Sequence, residues 1–144
     1  MLVHQILKSK ATQDVVTIEP GTSVSDAAKI LSERKIGTVV VSNDGEKADG
    51  ILSERDIVRE LGKRGAACMS DKVDELMTSD LVTCAPGDKI DVILGQMTEG
   101  RFRHMPVLSD GKMVGLISLG DVVKAQLSEL AMEKDALQGM IMGH

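Results

Sequence analysis

A serine followed three residues later by an aspartate occurs twice after a glycine and two apolar residues, as Ser53 with Asp56 and as Ser118 with Asp121. One interpretation is structural, because a serine at a helix N-cap and an acidic side chain three residues on satisfy each other's backbone N–H groups. The other is chemical. A carboxylate only accepts hydrogen bonds and suits the paired hydroxyls of a ribose, while serine and the N–H groups of a helix start suit a phosphate. The motif by itself leaves both interpretations open.

Both motifs belong to an internal duplication of the chain. Residues 16–21 match residues 82–87, which lie 66 positions later. Residues 50–56 match residues 115–121 at an offset of 65, so one residue has been lost in a turn between the blocks. Matching blocks in one order indicate two copies of a single supersecondary unit.

Strand patterns recur in each copy. In the first copy, β-branched runs predict strands at residues 15–18 and 38–41, and a third strand begins at Gly50. The second copy predicts the corresponding strands at residues 81–84, 105–108 and 114–117.

Helix signals alternate with these strands. Ser23 is the predicted N-cap of a helix that extends to about Arg34, and a second helix starts at Asp56 and is predicted to end at Gly62. In the second copy the corresponding helices are predicted over residues 90–98 and from Asp121 onward.

This order predicts an α/β fold of two β-α-β-β-α repeats, packed as a pseudo-twofold pair with an extended C-terminal helix. A repeat of about 50 residues is marginal alone, so the second copy would supply the missing core. The predicted domains are residues 1–65, the first repeat with an N-terminal lead-in helix, residues 66–127, the second repeat, and residues 128–144, a C-terminal helical extension.

Composition argues against several classes of protein. The chain has no Trp, no Tyr and one Phe, so aromatic stacking on nucleic-acid bases is almost excluded. Its 17 Lys and Arg against 22 Asp and Glu also argue against a nucleic-acid or anionic-membrane surface. No apolar run reaches the roughly 18 residues of a membrane span. Two cysteines are too few for a disulfide framework, so we expect reducing cytoplasm.

The order of strand, Pro-Gly, helix, Val-Val-Val, Asp-Gly and Gly-apolar-apolar-Ser-x-x-Asp resembles the CBS (cystathionine-β-synthase) domain. Residues 103–107, Arg-His-Met-Pro-Val, resemble the family's basic-hydrophobic-Pro-Val strand, and residues 73–78 resemble its lead-in helix ending in Met-Thr. The resemblance covers residues 3–127. It implies a pair of repeats that binds adenosine-containing ligands in clefts between them and often forms a dimer.

The resemblance also implies which residues would hold such a ligand. The serines and aspartates of the two motifs would bind ribose and phosphate. Side chains around adenine would be Thr17, Ile18, Pro20, Thr38, Val39 and Val40 in one pocket and Thr83, Cys84, Met105 and Pro106 in the other. The alternative is that the branched residues are simply core, and this interpretation is favoured for Val39 and Val40.

Basic residues in this family reach across from the partner repeat to the phosphate. Arg103 and His104 would then serve the Asp56 site, where Arg55 adds another cation. The corresponding residues of the first copy carry no charge, so the Asp121 site is expected to lack a cation and the Asp56 site to bind phosphate more tightly. The alternative is that Arg103 and His104 are solvated surface residues.

In the C-terminal segment, apolar residues alternate at spacings of four and three: Val123, Leu127, Leu130, Leu137 and Ile141, with Lys134 interrupting the series. A helix from Asp121 to about Gln138 would carry this stripe. Either a partner subunit or the same module could cover it, and we expect a homodimer.

The sequence therefore predicts a regulatory module that binds an adenine nucleotide, AMP first, with ATP, ADP or NAD as further candidates. An enzyme is not expected, because the chain has three histidines and neither a Ser-His-Asp set nor a Gly-rich phosphate loop. The alternative function is a structural dimerisation module with vestigial clefts.

Overall fold

The structure is a computed structural model that describes residues 1–10 and 15–141. Its helices are α1 (Val3–Ser9), α2 (Val24–Arg34), α3 (Glu54–Arg64), α4 (Val73–Leu76), α5 (Ile90–Gly100) and α6 (Leu119–Ile141), with a 3₁₀ helix at Gly65–Ser70. Its strands are β1 (Thr17–Ile18), β2 (Thr38–Val41), β3 (Gly50–Ser53), β4 (His104–Ser109) and β5 (Lys112–Ser118). The predicted mixed α/β class is confirmed.

The described residues form two compact units, and each unit combines segments from separate parts of the chain. One unit comprises those among residues 14–82 and 110–113, and the other those among residues 1–13, 83–109 and 114–144. The helix that precedes the first repeat, α1, therefore belongs with the second repeat, and α4 belongs with the first. The predicted domain bounds at residues 65 and 127 remain predictions from the sequence.

The first-repeat unit contains a three-stranded sheet with β2 in the centre. Strand β1 pairs parallel to β2, with Thr17 opposite Val40, and β3 pairs antiparallel, with Ile51 also opposite Val40. All four residues of β2 are buried. Such a strand has a neighbour on both edges and no solvent-facing side, which fits its run of valines.

One face of this sheet builds the unit's core. Val39 and Val41 of β2 pack with Leu52 of β3 and with Val73 of α4. Leu52 and Val73 are completely inaccessible to solvent. The lead-in helix α4 therefore supplies core side chains that the first repeat does not contain.

The second-repeat unit repeats this design with α1. Val3 and Ile6 of α1 pack in one cluster with Met105 of β4 and Ile117 of β5. Gly115 of β5 lies so close to this helix that a Cβ there would come within 2.6 Å of Leu7 Cδ2. Helix α1 is thus built into the core of a repeat that begins some 70 residues later.

The prediction of a four-residue strand at residues 81–84 is wrong in length. Cys84 makes a single parallel bridge with Val107 of β4. Its N–H donates to Pro106 O at 3.0 Å, and its C=O accepts from Leu108 N at 2.8 Å. Val82 and Thr83 are exposed, so no burial favours extending the pairing toward the N-terminus.

Helix α2 confirms its predicted start, because the Oγ of Ser23 accepts a hydrogen bond from Asp26 N at 3.0 Å. The predicted end of α3 at Gly62 is wrong, since the helix continues to Arg64. An ion pair between Arg64 and Glu60 at 2.8 Å supports the last turn. The chain leaves the helix at Gly65, whose φ of 71° favours glycine.

Helix α6 begins two residues before Asp121 and runs past the predicted end at Gln138. Its predicted stripe is largely uncovered, since Leu127 is 62% exposed, Leu130 50% and Leu137 59%. Val123 is 39% exposed, and the side chain of Ile141 lies outside the described part. Packing within the same chain therefore leaves most of this stripe open.

Truncation of Leu52 to alanine should lower the free energy of unfolding by about 2–5 kcal/mol, because it opens a cavity in the sheet's core face. Urea denaturation of the purified protein measures this. Val58→Ala on α3, at a side chain 66% exposed, is the surface control and should change stability by less than about 0.5 kcal/mol. Equal losses in the two variants would contradict the assignment of the core face.

Candidate functional site

The first Ser-x-x-Asp motif forms a complete capping box at the start of α3. Asp56 Oδ2 accepts from Ser53 N at 2.9 Å and from Ser53 Oγ at 3.0 Å, while Ser53 Oγ accepts from Asp56 N at 3.3 Å. The structural interpretation of this motif is therefore correct. It also holds the carboxylate, 14% exposed, at a defined place on the first helical turn.

The sheet next to this carboxylate presents a face of its own. Side chains alternate along a strand, so Thr38 and Val40 of β2 lie on the opposite face from the core residues Val39 and Val41. The register adds Thr17 and Ile51 beside Val40, and it places Ser53 beside Thr38. We call Thr17, Thr38, Val40, Ile51 and Ser53 the site face of the first unit.

The register divides the residues predicted around adenine into two groups. Thr17, Thr38 and Val40 lie on the site face. Ile18 and Val39 belong to the core cluster, as the core interpretation of Val39 proposed. Ile51, 8% exposed, was not among the predicted residues, although the alternation of the hairpin could have identified it.

Pro20 lies in the turn after β1 and is half-buried. The turn is closed at Gly21, where φ is 88° and the N–H donates to Asp74 Oδ1 at 2.7 Å. This bond ties the loop after β1 to α4.

Two arginines of α3 differ in their relation to Asp56. Arg55, which the sequence singled out, is exposed. Arg59 contacts the carboxylate directly, since its Nη1 lies 3.3 Å from Asp56 Oδ1. Arg59 follows Asp56 by three positions, a spacing that brings side chains together on a helix and could have identified it.

The second motif forms the same local arrangement at the start of α6. Asp121 Oδ2 accepts from Ser118 N at 2.9 Å, and Ser118 Oγ accepts from Asp121 N at 3.1 Å. The residues of β4 that correspond to Val39 and Val40 of β2 lie on the corresponding faces of their sheet. Met105 is in the core, whereas Pro106, also buried, alternates with it along β4.

Cys84 belongs to the core cluster of its unit, and Thr83 before it is exposed. Burial, with a smaller contribution from the nearby charge of Asp88, raises the pKa of the Cys84 thiol to about 12. Its backbone N–H and C=O are both engaged by β4, with Pro106 O and Leu108 N. Cys84 is a structural residue of the second unit.

Lys10 is the residue that sequence reasoning missed at the second motif. Its Nζ lies 2.9 Å from Asp121 Oδ2 and also donates to Leu116 O at 2.9 Å. The expectation that the Asp121 site lacks a cation is therefore wrong. The cation comes from the end of α1, which precedes the first copy and has no place in the repeat pattern.

The ion pair affects the ionisation of Asp121. Burial opposes its charged form, but hydrogen bonds from Ser118 N and from Lys10, together with the charge of Lys10, outweigh burial and lower its pKa. Asp121 is thus a carboxylate at neutral pH and acts only as a hydrogen-bond acceptor.

His104 and Arg103 lie in the same unit as this ion pair. Arg103 is exposed and its backbone C=O accepts from Leu119 N at 2.7 Å. The pKa of His104 is lowered chiefly by burial and further by the charges of Lys10 and Arg103, which outweigh the opposite effect of Asp121. His104 is therefore neutral at pH 7, where it can donate or accept a hydrogen bond but adds no positive charge.

The described residues contain no group of three or more His, Cys, Asp or Glu side chains placed to hold a metal ion. None of their helices combines the length and the apolarity needed to cross a membrane.

The CBS-domain family model matches residues 3–63 and 73–128. A mitochondrial CBS-domain-containing protein of Arabidopsis thaliana is 37% identical over 125 residues, which cover 84% of this chain and 61% of that protein. A crystal structure of a CBS-domain protein from Agrobacterium tumefaciens superimposes with a TM-score of 0.82 at 41% identity, covering 88% of this chain and 99% of the other.

A second similar structure is the CBS domain pair of protein MJ0100 in complex with 5′-methylthioadenosine and S-adenosyl-L-methionine. Its TM-score is 0.76, with 90% of this chain and 98% of the other covered. At 23% identity this likeness shows the fold alone. With both repeats matched by the family model and each carrying its Ser-x-x-Asp capping box, the chain belongs to the CBS-domain family as a pair of CBS repeats.

Proposed function

We propose that this protein is a regulatory module that binds an adenine nucleotide, AMP first, at Asp56 and at Asp121. The observation that carries the proposal is the placement of each carboxylate. Both are held by backbone N–H groups in the first turn of a helix. The Asp56 carboxylate also adjoins the site face, which lies opposite the core of its sheet.

Each part of a nucleotide has a matching group. The carboxylates accept hydrogen bonds from the ribose hydroxyls, and the N-termini of α3 and α6 favour phosphate through their N–H groups and dipoles. In place of aromatic rings, the base packs against the site face at Thr17 and Ile51, next to the fully buried Val40, at one site and beside the buried Pro106 at the other. Protein MJ0100 is bound to two adenosine derivatives in its structure, and this supports an adenosine-containing ligand here.

Regulation follows if the nucleotide binds one conformation of the module better than another, because binding then shifts the population that a partner protein meets. Such a role needs binding without turnover.

A second candidate is a structural module that joins subunits and binds no ligand. Two observations favour it: Asp56 and Asp121 already pair with cations of their own chain, and the stripe on α6 is exposed. Ligand binding discriminates the two candidates, since only the first requires it.

We also propose a homodimer that buries the α6 stripe. Leu127, Leu130 and Leu137 are at least half exposed along one helix face. The same stripe is present on every copy of the chain, so a twofold axis lets two copies cover each other. Monomeric proteins rarely leave a contiguous apolar stripe of this kind in solvent.

AMP should raise the melting temperature of the protein. Asp56→Asn should weaken AMP binding at the first site, and Asp121→Asn should weaken it at the second. Loss of a charge-assisted contact to ribose corresponds to about 1.5–3 kcal/mol, roughly a ten- to hundredfold weaker site. Isothermal calorimetry and thermal shift measure both effects, and mass spectrometry of heat-released molecules identifies a co-purified ligand.

Asp26→Asn is the matched control for these variants. Asp26 also sits three residues after a capping serine, but at α2 and exposed to solvent, so its substitution should leave AMP affinity unchanged. Absence of any AMP, ATP, ADP or NAD binding to the unaltered protein would support the structural candidate instead.

Stability should fall as the pH drops below about 6.5, because the unfolded chain protonates His104 at its ordinary pKa while the folded protein protonates it only at lower pH. His104→Gln should flatten this dependence in urea titrations between about pH 5 and pH 7.5. His4→Gln, at an exposed position of α1, serves as control and should keep the slope of the unaltered protein. A slope that survives His104→Gln would contradict the buried, neutral histidine.

Light scattering at micromolar concentration should give the mass of a dimer. The double variant Leu130→Glu/Leu137→Glu should give a monomer, because two charges in a buried stripe are strongly unfavourable. Met132→Glu is the control. Met132 is 55% exposed and, about two and a half turns after Val123, lies on the opposite side of the helix from the stripe, so a charge there should leave the dimer intact. A monomeric mass for the unaltered protein would overturn this interface.

A further inference from the structure

The ammonium group of Lys10 contacts a carboxylate and a backbone carbonyl, and its third N–H can donate to a ligand. An ammonium group has three N–H donors. In the described part of the chain, one donates to Asp121 Oδ2 and one to Leu116 O, both at 2.9 Å. The side chains of Lys10 and Asp121 are 28% and 26% exposed, so the pair is reachable from solvent.

The two contacts also fix where the ammonium sits. Leu116 belongs to β5, and Lys10 follows α1, whose Val3 and Ile6 are core residues of the same unit. A flexible lysine side chain is thereby anchored at both its backbone and its tip. A pre-organised cation of this kind loses little entropy when it contacts a ligand.

A neighbouring ammonium and carboxylate together complement a hydroxyl group. A hydroxyl donates one hydrogen bond and accepts others, so its hydrogen can bond Asp121 while its oxygen accepts from Lys10. Asp121 Oδ2 already accepts from Ser118 N and from Lys10 Nζ, so a ligand hydroxyl would donate to Oδ1, the other oxygen of the same carboxylate. A ligand oxygen held there lies beside the ammonium that contacts this carboxylate at 2.9 Å. The pair has no net charge, so it favours a neutral diol over a phosphate placed at the same point.

We propose that Lys10 is a ligand-contacting, specificity-determining residue of the Asp121 site, where it donates to the ribose diol that Asp121 accepts from. The proposal rests on the proposed nucleotide-binding function and deepens it. At Asp56 the nearby cation is Arg59, a residue of α3 itself with a side chain 61% exposed. The two sites therefore differ in the cation beside the carboxylate: at Asp121 it is a lysine whose ammonium is also held by Leu116 O, and at Asp56 it is a largely exposed arginine of the same helix.

The test uses the full chain carrying Asp56→Asn, which weakens the other site. In this background Lys10→Met should weaken adenosine binding about ten- to hundredfold, whereas 2′,3′-dideoxyadenosine, which lacks the diol, should bind both proteins equally within about twofold. Lys10→Arg, which keeps a donor, should recover part of the loss. Lys8→Met, at an exposed lysine of α1, is the matched control and should bind adenosine like its parent.

A chemical probe separates contact with the ligand from mere positioning of Asp121. Adenosine oxidised with periodate carries aldehydes at the 2′ and 3′ carbons, and a lysine amine beside them forms an imine with loss of water. Cyanoborohydride reduces the imine to a stable secondary amine, so peptide mass spectrometry can find it. We expect the label on Lys10 and not on Lys8, with protection by unmodified adenosine and no label at this position in Lys10→Arg.

Adenosine binding that is unchanged in Lys10→Met, equal losses for adenosine and its dideoxy analogue, or labelling that spares Lys10 would each overturn the role of Lys10 while leaving nucleotide binding intact. No adenosine binding at all in the Asp56→Asn background would overturn the Asp121 site together with this role. The unaltered protein would then bind a single nucleotide, through Asp56.

Discussion

Burial of two short sheets is the constraint on which the rest of this structure depends. Each repeat has one core face that its own helices do not completely cover, and a lead-in helix from elsewhere in the chain completes it. Val73 of α4 closes the core of the first unit, and Val3 and Ile6 of α1 close that of the second. Because α1 is the first helix of the chain, the second unit contains residues from both ends of the sequence, and the position of Lys10 follows from this.

The two candidate sites are built on a device that stabilises helix starts. A serine N-cap and an acid three residues later satisfy backbone N–H groups that would otherwise lack a partner at a helix start. The same bonds orient Asp56 and Asp121, whose remaining acceptor capacity can serve a ligand. Structural and functional interpretations of the motif therefore describe one arrangement. What distinguishes Asp26, in the same position of α2, is its exposed setting.

Several features were predictable because they depend on local patterns. The capping serine of α2, the run of valines in β2 and both Ser-x-x-Asp boxes lie where the sequence indicates. The glycine signal at the end of α3 failed, although the contact that extends the helix is also local. Gly62 does not end α3, since the following turn gains an ion pair between Arg64 and Glu60 before Gly65 ends the helix.

The sequence by itself determined the duplication, the α/β class and the positions of the two capping aspartates, Asp56 and Asp121. Each of these depends on residue types repeated at a constant spacing. Only the tertiary structure decided which predicted lining residues face the core, since strand register sorts Val39 from Val40. It alone also brought Lys10 to Asp121, more than a hundred residues away along the chain. No spacing rule encodes such a pair, because the contact exists only after hydrophobic burial has docked α1 against β5.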